Sequence, residues 1–135
     1  MNHFLNRRIF ITDDDPFWSA SLCQMLRLLG YNNIFVYKSG DECVNNLHLN
    51  PALVFLDYKM KDMDGLEVLK NIKSYYPGIA VVFCTAHPEL RVAIEAMKSG
   101  SSDYLLKSNA GKKEIAALIN ELNEKQMIPD DNILP

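Results

Sequence analysis

Asp13, Asp14, Asp57, Thr85 and Lys107 are the residues of this sequence with chemistry to offer as a group. Each follows or closes a short apolar run. Arg8 to Thr12 leads into the acidic pair, Ala52 to Leu56 into Asp57, Ile79 to Cys84 into Thr85, and Asp103 to Leu106 into Lys107. If these runs are parallel strands of an open sheet, their carboxyl ends border one crevice. Three carboxylates there repel one another and require a counter-charge. Mg²⁺ supplies one, since it binds through one or two carboxylates together with waters and phosphate oxygens. Lys107 adds a point charge of the kind found at phosphate sites. The chemistry that fits is phosphoryl transfer to a carboxylate, with an Asp side chain as nucleophile and an aspartyl phosphate as product. The protein's task in such a reaction is mainly positioning and neutralisation of charge. Asp57 is expected to attack, and Mg²⁺ on Asp13 and Asp14 to hold the phosphoryl oxygens. Lys107 is expected to pair with another oxygen, and Thr85 to donate to the one remaining.

The elements that must hold these residues are legible from punctuation. Asp15-Pro16 suits a helix start, because Asp accepts from free N–H groups and Pro tolerates the first turn. Leu22, Met25, Leu26 and Leu29 then form one apolar helix face, stopped by Gly30. Ile34 to Tyr37 reads as a second strand, and Ser39 to about His48 as a short helix. After the third strand a loop from Tyr58 to Asp64 precedes a helix opened by Gly65, with Leu66, Leu69, Ile72 and Tyr76 inward. Further helices are expected from about Pro88 to Ser99 and over the segment carrying Ile115, Leu118, Ile119 and Leu122. Continuous apolar strands alternating with amphipathic helices imply a parallel sheet covered on both faces. The fold class is therefore α/β: a doubly wound, flavodoxin-like (βα)5 sandwich. Residues 1–123 form the domain, and residues 124–135 read as a tail or the beginning of a linker.

The chain has 135 residues, 48% of them hydrophobic and 23% charged, which suits one globular domain rather than a disordered or fibrous chain. The net charge of −3 argues against a nucleic-acid interface. No apolar run approaches the ~20 residues of a membrane span, and the first eight residues lack the order of a signal peptide. Cys23, Cys43 and Cys84 are far apart, which excludes a zinc motif and a disulfide framework and leaves buried small hydrophobes. A cytoplasmic location is expected. His3, His48 and His87 have no metal-ligand spacing and read as surface residues. Asp15 reads as a helix cap. Trp18 is expected near the crevice.

Five motifs carry a resemblance: Ile-Thr-Asp-Asp-Asp-Pro (11–16), Val-Phe-Leu-Asp-Tyr-Lys-Met (54–60), Met-Asp-Gly-Leu (63–66), Val-Phe-Cys-Thr-Ala-His (82–87) and Gly-Ser-Ser-Asp-Tyr-Leu-Leu-Lys (100–107). In this order the sequence resembles the receiver domain of two-component response regulators, the family of the bacterial chemotaxis receiver protein, from about Arg8 to Leu122. The resemblance implies strand order 2-1-3-4-5. It implies Asp57 as phosphoacceptor and Asp13, Asp14 and Asp57 as metal-binding carboxylates, with the backbone carbonyl of Lys59 as a further Mg²⁺ ligand. Thr85 matches the switch hydroxyl, Ala86 the small residue beside the phosphoryl group, Tyr104 the switch aromatic and Lys107 the family's lysine. On phosphorylation Thr85 would move toward the phosphoryl group and Tyr104 would turn inward. The surface of the fourth helix, fifth strand and fifth helix would change.

Two departures stand out. Relatives usually carry Pro where Lys61 and Ser108 stand, the second after a cis peptide. A non-proline cis bond costs about 3–4 kcal/mol, and a trans bond at Ser108 could shift the Lys107 head group. Lys59 and His87 occupy positions that tune dephosphorylation in relatives, and a bulky Lys59 could shield the phosphoryl group from water. A haloacid dehalogenase-like hydrolase would need Asp where Lys59 stands. A nucleotide-binding domain would need a Gly-rich loop after the first strand. A receiver that has lost phosphorylation and acts as a docking surface is the remaining alternative.

The resemblance implies a sensor histidine kinase or a phosphotransfer protein as phosphodonor and an output domain or partner protein of unknown kind. It leaves room for a phosphorylation-dependent dimer. Ala117 stands where winged-helix regulators usually carry a basic residue, which argues against their dimer mode. The chain itself is expected to act as a signalling phosphoacceptor that catalyses only its own phosphorylation and dephosphorylation. It reads as either a stand-alone receiver or an excised N-terminal domain, and its abrupt ending favours the latter.

Overall fold

A computed structural model describes residues 2–86 and 89–127. Five strands, β1 (Ile9–Thr12), β2 (Ile34–Tyr37), β3 (Leu53–Asp57), β4 (Ala80–Thr85) and β5 (Asp103–Leu106), alternate with helices α1 (Pro16–Leu28), α2 (Gly40–Asn45), α3 (Gly65–Tyr75), α4 (Leu90–Lys98) and α5 (Lys112–Met127). The strands are all parallel, in the order β2-β1-β3-β4-β5. Every residue of β3 and β4 is buried, as the unbroken apolar runs require of central strands covered on both faces.

Strand alternation divides the core in two. Ile9, Ile11, Phe55 and Val82 face α1 and α5, meeting Leu22, Leu26, Ile115 and Ile119. Phe10, Val54, Leu56 and Phe83 face the other way, onto Val68, Leu69, Ile72 and Ala96 of α3 and α4. Burying a side chain of this size stabilises by roughly 1.5–3 kcal/mol. The sheet is thereby rigid where its strand ends present side chains.

Local signals set the boundaries. Asp15 Oδ1 accepts from the N–H groups of Phe17 (3.0 Å) and Trp18 (3.4 Å), so Asp15 is the cap of α1. Gly30, at φ +99°, ends that helix in a left-handed conformation, with Tyr31 N–H donating back to Leu26 O at 2.9 Å. Asp64 Oδ1 caps α3 by accepting from Glu67 N–H at 2.9 Å.

Several expectations need correction. Tyr76 is not an inward helix residue: α3 stops at Tyr75, Tyr76 turns to extended backbone, and its side chain is 59% exposed. The second helix ends at Asn45 and gives way to a 3-10 turn at Leu47–Leu49, because Asn46 already leaves helical backbone. Cys43 and Cys84 are buried, but Cys23 is only partly covered by α1's neighbours. His3 is partly buried too, and that burial lowers its pKa. Helix α5 continues to Met127, into the segment read as tail. Pro88, His87 and residues 128–135 lie outside the described residues. The N-terminal residues join the fold: Phe4 is fully buried, and His3 N–H donates to Asn123 Oδ1 of α5 at 2.7 Å.

Candidate functional site

Asp57 closes β3, and Asp13 and Asp14 follow β1 directly, so adjacent parallel strands deliver three carboxylates to one end of the sheet. One oxygen from each of the three lies within 4.8 Å of the others. Asp57 and Asp13 are buried, at 6% and 3% exposure, whereas Asp14 faces solvent. Lys107 follows β5, and its Nζ reaches 2.6 Å from Asp13 Oδ2 and 3.4 Å from Asp57 Oδ1. The same ammonium lies 5.7 Å from the centroid of the Trp18 ring, which places Trp18 beside the crevice as expected.

Electrostatics follow from this crowding. Burial, and then the charge of Asp13, push the Asp57 carboxyl up to about 6, against the opposing pull of Lys107. Asp13 is also raised, first by burial, with Lys107 and the Asp15 N–H opposing. The Asp15 N–H donates to Asp13 Oδ1 at 2.9 Å and fixes that side chain. Burial of the Lys107 ammonium is outweighed by its two carboxylate partners, so its pKa rises. Three carboxylates and one ammonium leave two formal negative charges, which one divalent cation balances. The all-oxygen donor set, with one solvent-facing carboxylate and room for water, is the kind Mg²⁺ takes. These residues therefore fit the cation that the sequence implied.

The peptide between Lys107 and Ser108 is trans, as are all peptide bonds among the described residues. Lys107 opens a 3-10 turn, Lys107–Asn109, and still reaches both carboxylates. Ser108 in place of proline thus leaves the head group in the crevice.

Gly65 is required by close approach. A Cβ there would collide with the backbone carbonyl oxygen of Asp57 and lie 2.8 Å from Tyr58 Cα. Its N–H donates to Tyr58 O at 2.8 Å, closing the base of the loop that carries Lys59. Lys59 itself is exposed, and its Nζ stands 3.9 Å from Glu89 Oε1. The Met-Asp-Gly motif pointed to this turn; nothing in the spacing pointed to Asp62, whose carboxylate accepts from two backbone N–H groups of α2.

Thr85 ends β4 and is buried. Tyr104, paired in register with Phe83, stacks on that ring at 6.1 Å and 17°. Its hydroxyl oxygen is buried. Ala86, next to Thr85, is exposed. A cavity of about 400 Å³ opens from Asp13 and Asp14 along α1 to Cys23, floored by Ala20 and Val36. It exists because α1 and α5 cover Ile34 of the edge strand β2 and leave Val36 44% exposed.

Comparison with known proteins agrees with this geometry. Residues 9–120 match the family model described as response regulator receiver domain. The transcriptional regulatory protein ZraR of Escherichia coli K12 is 37% identical over 103 residues, 76% of this chain and 23% of that protein. The regulatory protein LuxO of Vibrio vulnificus is 30% identical over 100 residues, 73% of this chain and 22% of that protein. The chain thus spans less than a quarter of the length of these relatives. A CheY-like receiver domain from Methanospirillum hungatei superposes with a TM-score of 0.81 at 25% identity, covering 89% of this chain and 95% of that one. A receiver domain protein from Clostridium thermocellum gives 0.80 at 27% identity, covering 89% and 96%.

Proposed function

The chain belongs to the response regulator receiver family, and on that premise we propose that it is a Mg²⁺-dependent phosphoacceptor in which Asp57 takes the phosphoryl group. The carrying observation is the position of Asp57: a buried carboxylate at a strand end, held against Lys107 and within 4.8 Å of two more carboxylates. A lone buried charge there would be costly; a carboxylate poised for reaction with a phosphoryl donor gives it a role.

Asp13, Asp14 and Asp57, with the Lys59 carbonyl, would hold the cation, which neutralises phosphoryl oxygens as charge develops. Asp57 Oδ attacks phosphorus while the donor's leaving group departs from the opposite side. Lys107 exchanges its contact with Asp13 for a phosphoryl oxygen. Thr85 donates its hydroxyl to another. Tyr104 already lies inward in this structure, stacked on Phe83 with its hydroxyl buried, so movement of Thr85 toward that oxygen would act by changing the space beside that ring. The surface of α4, β5 and α5 changes with it, a bistable element biased by local charge. Reversal by water would end the signal, with Lys59 shielding the phosphoryl group.

The phosphodonor is a histidine kinase or a phosphotransfer protein, and the location cytoplasmic. No helix among the described residues is long and apolar enough to cross a membrane. The output surface serves a partner protein or an output domain, and association into a phosphorylation-dependent dimer belongs to the same reading. The alternative of a docking domain without phosphorylation rested on the two missing prolines; Lys107, seated between Asp13 and Asp57 with a trans bond at Ser108, speaks against it.

Hydrogen exchange with and without beryllofluoride and Mg²⁺ tests the switch. Altered protection in β4, α4 and β5 is expected in the wild type and not in Asp57→Asn. Unchanged exchange despite a formed complex would rule out the switching surface.

A further inference from the structure

The cation site as proposed takes one ligand, the Lys59 carbonyl, from a loop of irregular backbone. Residues 58–64 connect β3 to α3, and Lys59 and Lys61 are both exposed. A backbone carbonyl serves as a metal ligand only if the loop holds it in place. Relatives usually place a proline at the position of Lys61, where a fixed φ limits the loop's freedom. This chain lacks that restraint.

Asp62 supplies another. Gly40 N–H donates to Asp62 Oδ1 at 3.1 Å, and Asp41 N–H donates to Oδ2 at 2.9 Å. The carboxylate thus grips the first two residues of α2 with both oxygens, and these bonds hold its pKa below the usual range. The neighbouring Met63 packs down on Gly40, where an added Cβ would lie 3.1 Å from Met63 Cβ and 2.6 Å from Val68 Cγ2. The loop is also closed at its base by Gly65 N–H on Tyr58 O at 2.8 Å. Between the base and the clamp, Met60 packs against the core under α3 and α4, whereas Lys59 and Lys61 are exposed, and no backbone hydrogen bond among the described residues holds either in place.

We propose that Asp62 is a positioning residue for the cation site: its grip on α2 fixes the loop that presents the Lys59 carbonyl and stands in for the proline absent at Lys61. This inference rests on the reading of that carbonyl as a Mg²⁺ ligand. Helix α2 has its own cap in Ser39 Oγ, which accepts from Glu42 N–H at 3.2 Å. The Asp62 bonds are therefore not the helix's sole restraint.

Mg²⁺ affinity, read by Trp18 fluorescence, and thermal unfolding without Mg²⁺ are measured in parallel on wild type, Asp62→Ala, Lys61→Pro and the double variant. Loss of a group that directly orients a metal ligand costs about 10–100-fold in affinity; Asp62 acts through the loop, at the low end of that range, so Asp62→Ala is expected to bind Mg²⁺ about tenfold more weakly. The added proline is expected to restore much of that affinity in the double variant, although it returns no partner to the α2 N–H groups. Equal Mg²⁺ binding by wild type and Asp62→Ala overturns the inference. So does weak binding in Asp62→Ala that proline leaves unrepaired while the midpoint of unfolding falls. A wild type without Mg²⁺ affinity would overturn the reading of this receiver as a Mg²⁺-dependent phosphoacceptor, and this inference with it.

Discussion

Lys107 Nζ lies 2.6 Å from Asp13 Oδ2, so an ammonium following β5 reaches a carboxylate following β1, across the ends of β4 and β3. Both side chains are buried or nearly so, at 13% and 2% exposure, and the pair spans the space in which a phosphoryl group would sit. The contact neutralises Asp13 while the site waits, and its release is part of the proposed reaction.

Removing this ammonium should be felt most at neutral pH. Lys107→Ala leaves Asp13 and Asp57 without their counter-charge, and breaking a buried pair costs about 3–5 kcal/mol. The destabilisation is expected to shrink at pH 5, where protons replace the ammonium. Urea unfolding at pH 7.5 and pH 5 checks it; an equal loss at both would remove electrostatics as the cause.

Asp57 gives the fold a pH dependence of defined sign. In the folded chain its carboxyl holds the proton to about 6, whereas an unfolded Asp releases it near ~3.9. Stability from this group is full below the unfolded value and falls as pH rises through about 6, by about 1–3 kcal/mol in all. Mg²⁺ should offset the loss at pH 7.5 and do little at pH 5. Asp57→Asn should flatten that part of the curve. A wild-type stability that rises between pH 4.5 and 7 in metal-free buffer would contradict the sign.

The single tryptophan reports on the site. Trp18 faces the Lys107 ammonium at 5.7 Å, and a cation entering among the carboxylates changes that contact. Trp18 emission is expected to change and saturate with Mg²⁺, and Asp13→Asn with Asp14→Asn should abolish the response. A Mg²⁺ response that survives both substitutions would place the cation elsewhere.

Gly65→Ala should disturb the site through the backbone alone. The new Cβ would overlap the Asp57 carbonyl oxygen, and overpacking of this kind costs about 1–3 kcal/mol. Lower stability together with weaker Mg²⁺ binding is expected; unchanged affinity would show that the turn does not position the acid cluster.

Much of the site was legible because strand ends in a parallel sheet share one edge. Asp13, Asp57 and Lys107 each followed a short strand-like run, and the sheet order did the rest. Asp15-Pro16 announced its cap through residue types that serve that position. Tyr76 was misplaced because periodicity does not show where α3's last turn uncoils. Cys23 looked like a core residue because helical spacing does not reveal that the sheet face beside it is left open at Val36 of β2. Asp62 with α2, and Asn2 and His3 with Asn123, join residues far apart in sequence through one or two hydrogen bonds, which leave no periodic trace.

The most direct measurement is intact mass after incubation with Mg²⁺ and acetyl phosphate, on wild type and Asp57→Asn in parallel. The expected result is one added phosphoryl group on the wild type alone, lost when Mg²⁺ is chelated beforehand. No adduct on a wild type shown to bind Mg²⁺, or an equal adduct on Asp57→Asn, would contradict the assignment of Asp57 as phosphoacceptor.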